Sequence, residues 1–194
     1  MAFLSFFEPD HERPLQGKGV YLRAPRSSDY VVWKGLRESS REFLTPWEPV
    51  WPLDDLTRGA FRRRLRRYAG ERRRKTAYPF FIFRSEDHVL VGGCTLSHIQ
   101  RGVQQSAILG YWAGEIYAGQ GYVTAAVKAL IPFAFGELGL HRIQAACVVG
   151  NERSASVLRK CGFHEEGVAR GFLRINGSWR DHQVFAILRD DPRI

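Results

Sequence analysis

Polar and apolar positions alternate over residues 18–24 as they do in a half-buried strand, and Ser28 with Asp29 then opens a helical spacing that runs to about Arg37. The aromatic, proline-rich run TPWEPVWP, residues 45–52, breaks that spacing and reads as a loop. Helical spacing returns over residues 54–75, with Phe61, Leu65 and Tyr68 on one face. Residues 78–83, 89–98 and 105–113 are three β segments separated by turn residues at 85–87 and 101–102, which predicts an antiparallel meander. A glycine loop at 119–121 leads into an apolar helix toward Leu138. Pro132 is expected to kink it, because proline lacks the N–H of an interior helical bond. A strand over 142–149, a helix over 152–160 and two strands, 163–174 and 179–188, joined at Asn176-Gly177, complete the pattern. Strands and helices in this mixed order predict an α+β protein built on one central sheet.

The densest chemistry lies at residues 110–126, GYWAGEIYAGQGYVTAA, where an apolar strand ends in a glycine loop that opens directly into a helix. Such a loop turns several backbone N–H groups toward one point at a helix N-terminus, a cradle for an anion such as pyrophosphate. Gly119 and Gly121 remove the Cβ atoms that would keep a phosphate from the backbone, and Thr124 can cap the first turn. The same two glycines also suit a plain connection, so the loop gains meaning only in combination with a second segment further along the chain.

Composition narrows the classes. A chain of 194 residues with 44% apolar content can close one core, and residues 1–194 are read as a single domain. The opening MAFLSFF has no basic region and runs into Glu8, Asp10 and Glu12, unlike a signal peptide. The longest apolar stretch, 123–140, is interrupted by Lys128, Pro132 and Glu137, so a soluble, cytoplasmic protein without membrane contact is expected. Cys94, Cys147 and Cys161 are odd in number and lack metal-ligand spacing, and the six histidines do not cluster. Buried thiols and no metal are expected. Residues 58–75 hold ten basic residues against Glu71 alone, a balance of +9 that equals the net charge of the whole chain. This run, without compensating acids at i+4, is either a solvated face or a surface that attracts a polyanion such as ribosomal RNA.

The segment HRIQAACVVGNERSASVLRKCGFHEEG, residues 141–167, makes the loop specific. The glycine loop followed by N-x-x-S-x-x-V-L-x-K-x-G-F resembles the acetyl-CoA-binding core of the GNAT N-acetyltransferases. The family's loop pattern, Q/R-x-x-G-x-G/A, falls on residues 118–123. Gly121 matches it, while Ala118 replaces the basic residue and Val123 the last small one. EFLTPWEPV and GFLRINGSWRDH are similar to segments of the RimJ type, the ribosomal-protein-alanine N-acetyltransferases, and the resemblance spans about residues 18–190. It implies a mixed, mostly antiparallel central sheet flanked by helices and splayed between the strands around Tyr111 and Ala145 to admit acetyl-CoA. It also implies a protein N-terminus as acceptor. The cofactor would lie along Tyr111, Trp112, Ala113, Gly119, Gln120, Gly121, Tyr122, Val123 and Thr124, with Asn151 and Ser154 across from it.

Acetyl transfer to an amine needs a neutral amine, support for a developing oxyanion, and a proton for the departing thiolate. An α-amine titrates at about 7.7–8.0 against about 10.4 for lysine, so an N-terminal acceptor asks little of a base. A backbone N–H around Trp112 and Ala113 is the candidate oxyanion donor. Where many GNAT enzymes have a tyrosine, seven residues after the motif asparagine, this chain has Leu158. Ser154, which matches the RimJ and RimL pattern, becomes the candidate to serve the cofactor sulfur, against the alternative of a helix cap. Asn151 is likewise an N-cap, a pantetheine contact, or both. Glu115 is the candidate base, while Trp47 and Glu48 are placed on the acceptor side. Asp181 is structural or amine-binding, and Leu173 stands where RimL-type relatives put a carboxylate. Two other readings remain open: acetylation of a small amine, such as a polyamine or antibiotic, and a non-catalytic scaffold that binds ribosomal RNA.

Overall fold

The computed structural model describes residues 13–192; the amino-terminal segment read as unlike a signal peptide lies outside the described residues. Eight strands form one sheet in the order β1-β2-β3-β4-β5-β6-β8-β7, and β5–β6 is its one parallel pairing. The strands are β1 (Leu15–Gly17), β2 (Val20–Arg23), β3 (Tyr78–Arg84), β4 (Leu90–Gln100), β5 (Ser106–Ala113), β6 (Arg142–Val148), β7 (His164–Ile175) and β8 (Ser178–Leu188). The helices are α1 (Tyr30–Ser39), α2 (Arg41–Leu44), α3 (Arg58–Arg73), α4 (Tyr122–Pro132) and α5 (Glu152–Lys160). The expected α+β architecture is present.

Both faces of the sheet are covered, and β3 explains why. In its run YPFFIFR, Tyr78, Phe80 and Ile82 enter the core shared with Ala126, Val127 and Leu130 of α4. Phe81 and Phe83 point the other way, against Trp33 of α1 and Phe61 of α3. Two-sided burial is what a nearly continuous apolar strand requires. Each aromatic withdrawn from water contributes about 1.5–3 kcal/mol, so β3 fastens both helical layers to the sheet.

Several boundaries differ from those expected, each for a local reason. Residues 18–19 form the turn of a β1–β2 hairpin, with Gly19 at φ 70°, rather than the start of a strand. Three-residue β1 is too short to leave a periodic signature. The basic helix begins at Arg58, capped by Thr57, whose hydroxyl accepts from Ala60 N at 3.2 Å. Asp54 and Asp55 precede it in turns and reach forward to Arg63 and Arg64. The run therefore carries more compensating acid than expected, including an i,i+4 contact of 3.5 Å between Arg67 and Glu71. The 45–52 loop begins as a 3-10 turn, Thr45–Trp47, directly after α2. Beyond Pro132 the chain continues through one π-helical turn, Phe133–Glu137, closed by Leu138 N donating to Phe133 O at 3.0 Å. The hairpin at Asn176-Gly177 is as expected, with φ of 44° and 83° at the two turn positions.

Candidate active site

β5 and β6 pair only from Ser106↔Arg142 to Leu109↔Ala145. Beyond that point β5 stays with β4 as far as Gly92↔Ala113, and β6 stays with β8 as far as Val148↔His182. The sheet therefore opens between residues 110–113 and 146–148, which is the expected splay. The opening frees one backbone edge of β5. Gly114 N donates to Val91 O at 2.9 Å, so in the alternation of an antiparallel ladder the N–H groups of Gly110 and Trp112 also face β4. Those of Tyr111 and Ala113 face the open side. The oxyanion donor sought around Trp112 and Ala113 thus narrows to Ala113, because the Trp112 N–H turns toward β4.

At one end of the opening stands the N-terminus of α4. Its N-cap is Gly121, at φ 85°, and the first helical bond is Ala125 N to Gly121 O, at 2.9 Å. The N–H groups of Tyr122, Val123 and Thr124 are left without intrahelical partners. No side chain caps them, so Thr124 does not play the capping part expected of it. A Cβ at Gly119 or Gly121 would meet no protein atom within 4 Å, so the space around both turn positions is open. Both glycines have the positive φ that L side chains disfavour. This cradle fits a pyrophosphate. Gln120 closes the preceding turn by donating its side-chain amide to Ile116 O at 2.7 Å. Near Tyr122, whose hydroxyl it meets at 3.3 Å, Arg84 brings a guanidinium that Asp87 holds at 2.5 Å.

At the other end, α5 begins directly after β6. Asn151 is its N-cap, accepting from Ser154 N at 3.2 Å, which leaves the Ser154 hydroxyl free of capping duty. That hydroxyl lies 2.8 Å from the Tyr111 hydroxyl, and Tyr111 also reaches Ser154 O at 3.0 Å. The pair spans the mouth of the splay from β5 to α5. Burial pushes the Tyr111 hydroxyl above its ordinary value, against a smaller opposing effect of Ser154, so it stays protonated across the neutral range. Tyr111 was expected to serve through its backbone; its side chain is the part that sequence reasoning missed. The three cysteines are buried thiols, with burial raising Cys147 and lifting Cys161 to about 11 and Cys94 to about 12.

The expected acids are dispersed. Glu48 accepts from both terminal nitrogens of Arg37 at 2.7 Å each and from Trp51 Nε1 at 2.7 Å, while Arg37 lies over the Trp51 ring at 4.0 Å and the Trp112 ring at 5.0 Å. Its backbone oxygen also accepts from Asn176 N, tying the 45–52 loop to the β7–β8 hairpin. Glu48 therefore ties α1, the 45–52 loop and the β7–β8 hairpin together through a partly buried pair. Asp181 Oδ1 accepts from Gly171 N at 2.7 Å across the irregular stretch of β7. Glu115 is exposed in a 3-10 turn after β5, with its backbone N–H on Ser40 Oγ. Trp47 is 37% exposed and Leu173 44%. The open strand edge, the α4 cradle and the Tyr111–Ser154 pair come together; Glu115, Glu48 and Asp181 do not join one another. Among the described residues no three His, Cys, Asp or Glu side chains gather as a metal group. None of the helices there is long and apolar enough to cross a membrane.

Residues 20–164 match the family model described as acetyltransferase (GNAT) domain. The chain is 38% identical over 177 residues to the probable N-acetyltransferase YjcK of Bacillus subtilis, covering 91% of this chain and 98% of the relative. It is 32% identical over 166 residues to the [ribosomal protein uS5]-alanine N-acetyltransferase of Escherichia coli, covering 86% and 82%. The crystal structure of ribosomal-protein-S5-alanine acetyltransferase from Vibrio fischeri superposes with a TM-score of 0.85 at 31% identity over 92% of this chain and 98% of that one. Mycobacterium smegmatis RimJ in complex with CoA-disulfide gives a TM-score of 0.85 at 32% identity, covering 92% and 87%. With a sheet opened beside a glycine cradle and a whole-length likeness to these enzymes, the chain belongs to the GNAT acetyltransferase family, related to the ribosomal-protein N-acetyltransferases and using acetyl-CoA as its donor.

Proposed function

We infer that this enzyme acetylates the N-terminal α-amine of a protein, a ribosomal protein being the substrate class favoured by its relatives. The observation that carries the α-amine is the state of the acids: Glu48 is committed to Arg37 and Trp51, Asp181 bonds the backbone, and Glu115 lies exposed. An acceptor that is neutral in about a tenth of molecules at pH 7 can react with water taking its proton, whereas lysine would call for a dedicated base.

Acetyl-CoA, when bound, supplies an acetyl group activated as a thioester. The free N–H groups of Tyr122, Val123 and Thr124 would hold its pyrophosphate, and the open β5 edge would pair with its amides. Ala113 N–H faces the space where an acyl oxygen can be met. Ser154 can give its hydroxyl proton to the leaving sulfur while accepting one from Tyr111; the proton that ends on the thiol is restored to Tyr111 from water, which also takes the proton lost by the acceptor amine. Placement of Ser154 and Tyr111 by β5 and α5 fixes this geometry without further ordering.

Thiol release from acetyl-CoA, measured with an alanine-initiated peptide and with spermidine, tests the reading. Peptide-dependent release, with mass spectrometry locating the acetyl group on the α-amine, is the expected result. Release with spermidine alone would assign a small-amine enzyme, and release with neither would leave a binding scaffold.

A further inference from the structure

The sheet face opposite α4 carries a cleft of about 290 Å³ between α1, α3 and strands β3–β5. Its floor is low because two positions there lack side chains. A Cβ at Gly110 would stand in open space, and one at Gly93 would come within 2.6 Å of Trp112 Nε1, whose ring lies across that position. The charge of the lining has one sign: Arg37, Arg64 and Arg67 contribute to it, and no Asp or Glu does. Their partner acids, Glu48, Asp55 and Glu71, stand outside the lining. A guanidinium carries five N–H donors, so one carboxylate leaves some unused. Arg37 is 7% exposed, and its buried Nε has no hydrogen-bond partner among the described residues. Arg67 is joined to Glu71 only at 3.5 Å and keeps 61% of its side chain exposed.

We propose that this cleft reads the charge of the acceptor, taking an Asp or Glu carboxylate from the residues that follow the acetylated amine and holding it on Arg64 and Arg67. The proposal rests on the reading of the chain as an N-terminal acetyltransferase. Gly110, Tyr111 and Trp112 connect the two places, for they line the cleft and belong to the strand whose other edge borders the splay. Because an extended chain advances about 3.3–3.6 Å per residue, an amine at that edge puts its second to fourth residues within the cleft's reach. Planar guanidinium groups match carboxylates in bidentate geometry, and a floor of glycine and tryptophan lowers the competition from water. A nucleic-acid backbone would instead meet the arginines on the solvent face of α3 first.

Two alanine-initiated peptides, identical except for Glu or Gln at positions two and three, separate the possibilities. For the wild-type enzyme we expect a preference for the Glu peptide of about tenfold in kcat/KM, expressed in KM, the size of one hydrogen bond to a charged group. Arg64→Gln with Arg67→Gln should bring the ratio near one, whereas Arg73→Gln with Arg74→Gln, which removes equal charge at the exposed end of α3, should keep it. Titration of intrinsic tryptophan fluorescence with the same peptides reads binding whether or not turnover occurs. Charge-selective binding that vanishes only in the Arg64/Arg67 variant, without turnover, would overturn the N-terminal acetyltransferase reading and leave the cleft assignment standing. Turnover of both peptides without charge preference in either readout, or an equal loss in both arginine variants, would overturn the cleft assignment alone.

Discussion

At the scale of single residues, the Tyr111–Ser154 pair and the Arg37–Glu48 pair make opposite demands on experiment. Ser154 does not cap α5, since Asn151 does, so Ser154→Ala should leave stability nearly intact while kcat falls about a hundredfold, within the range of general acid catalysis. Steady-state kinetics beside a thermal melt decides it; an unchanged kcat removes Ser154 from the chemistry. Burial raises the Tyr111 hydroxyl, and a donor works only while protonated, so its contribution is present below its ordinary value near 10 and is lost only above that. The pH profile of kcat should therefore have no descending limb below pH 10, while kcat/KM should climb to about pH 8 as the acceptor α-amine loses its proton. A descending limb near pH 8 would identify a different acid, and Tyr111→Phe would then leave the profile unmoved. Glu48→Gln acts otherwise. It strands a guanidinium that is nearly buried, which should cost about 2–3 kcal/mol and lower the melting midpoint by about 5–10 °C in a chain of this size. An intact midpoint with a raised KM would return Glu48 to the acceptor as a direct contact.

At the scale of elements, the α4 N-terminus is the part most legible in the sequence, because glycine at 119 and 121 and the apolar spacing after them are local signals. Gly121→Glu places a carboxylate and a Cβ at a left-handed position before three unpaired N–H groups. Acetyl-CoA affinity by calorimetry should drop at least about a hundredfold from charge opposition at the cradle. Affinity equal to wild type, in a protein that still melts cooperatively, would move the pyrophosphate elsewhere. The succession of elements from β2 onward and the Asn176-Gly177 hairpin were also legible, and the splay around Tyr111 and Ala145 was expected through the family resemblance. Less legible were contacts between distant segments. Tyr111 and Ser154 are 43 residues apart, Arg37 and Glu48 meet only after α1 and the 45–52 loop fold back, and neither pair has a periodic signature. The backbone direction of Trp112 depends on the register with β4, which a strand pattern leaves undefined. Of the acids singled out by position, Glu48 proved to be engaged by Arg37 and Trp51 and Asp181 by the Gly171 N–H, while Glu115 stands exposed.

At the scale of the molecule, the arginine run divides by face. Arg64 and Arg67 border the cleft, Arg63 is drawn to Asp54, and Arg62 and Arg66 stand exposed on the outside of α3. The remainder of the chain is electrically balanced, so a polyanion approaching this protein is attracted chiefly to that outer face. If the substrate is a ribosomal protein met on the ribosome, Arg62→Gln with Arg66→Gln should weaken co-sedimentation with ribosomes. It should also flatten the dependence of log affinity on log salt by about one unit for each phosphate no longer neutralised. The Arg64/Arg67 variant should pellet more nearly as wild type does, because those side chains turn toward the cleft. Equal pelleting of all three proteins at low salt would show that the outer arginines are solvated and that encounter with the ribosome does not govern the choice of acceptor. Selection would then rest on the cleft and the first few residues of the polypeptide alone, and a free, newly made protein would be as good a substrate as an assembled one.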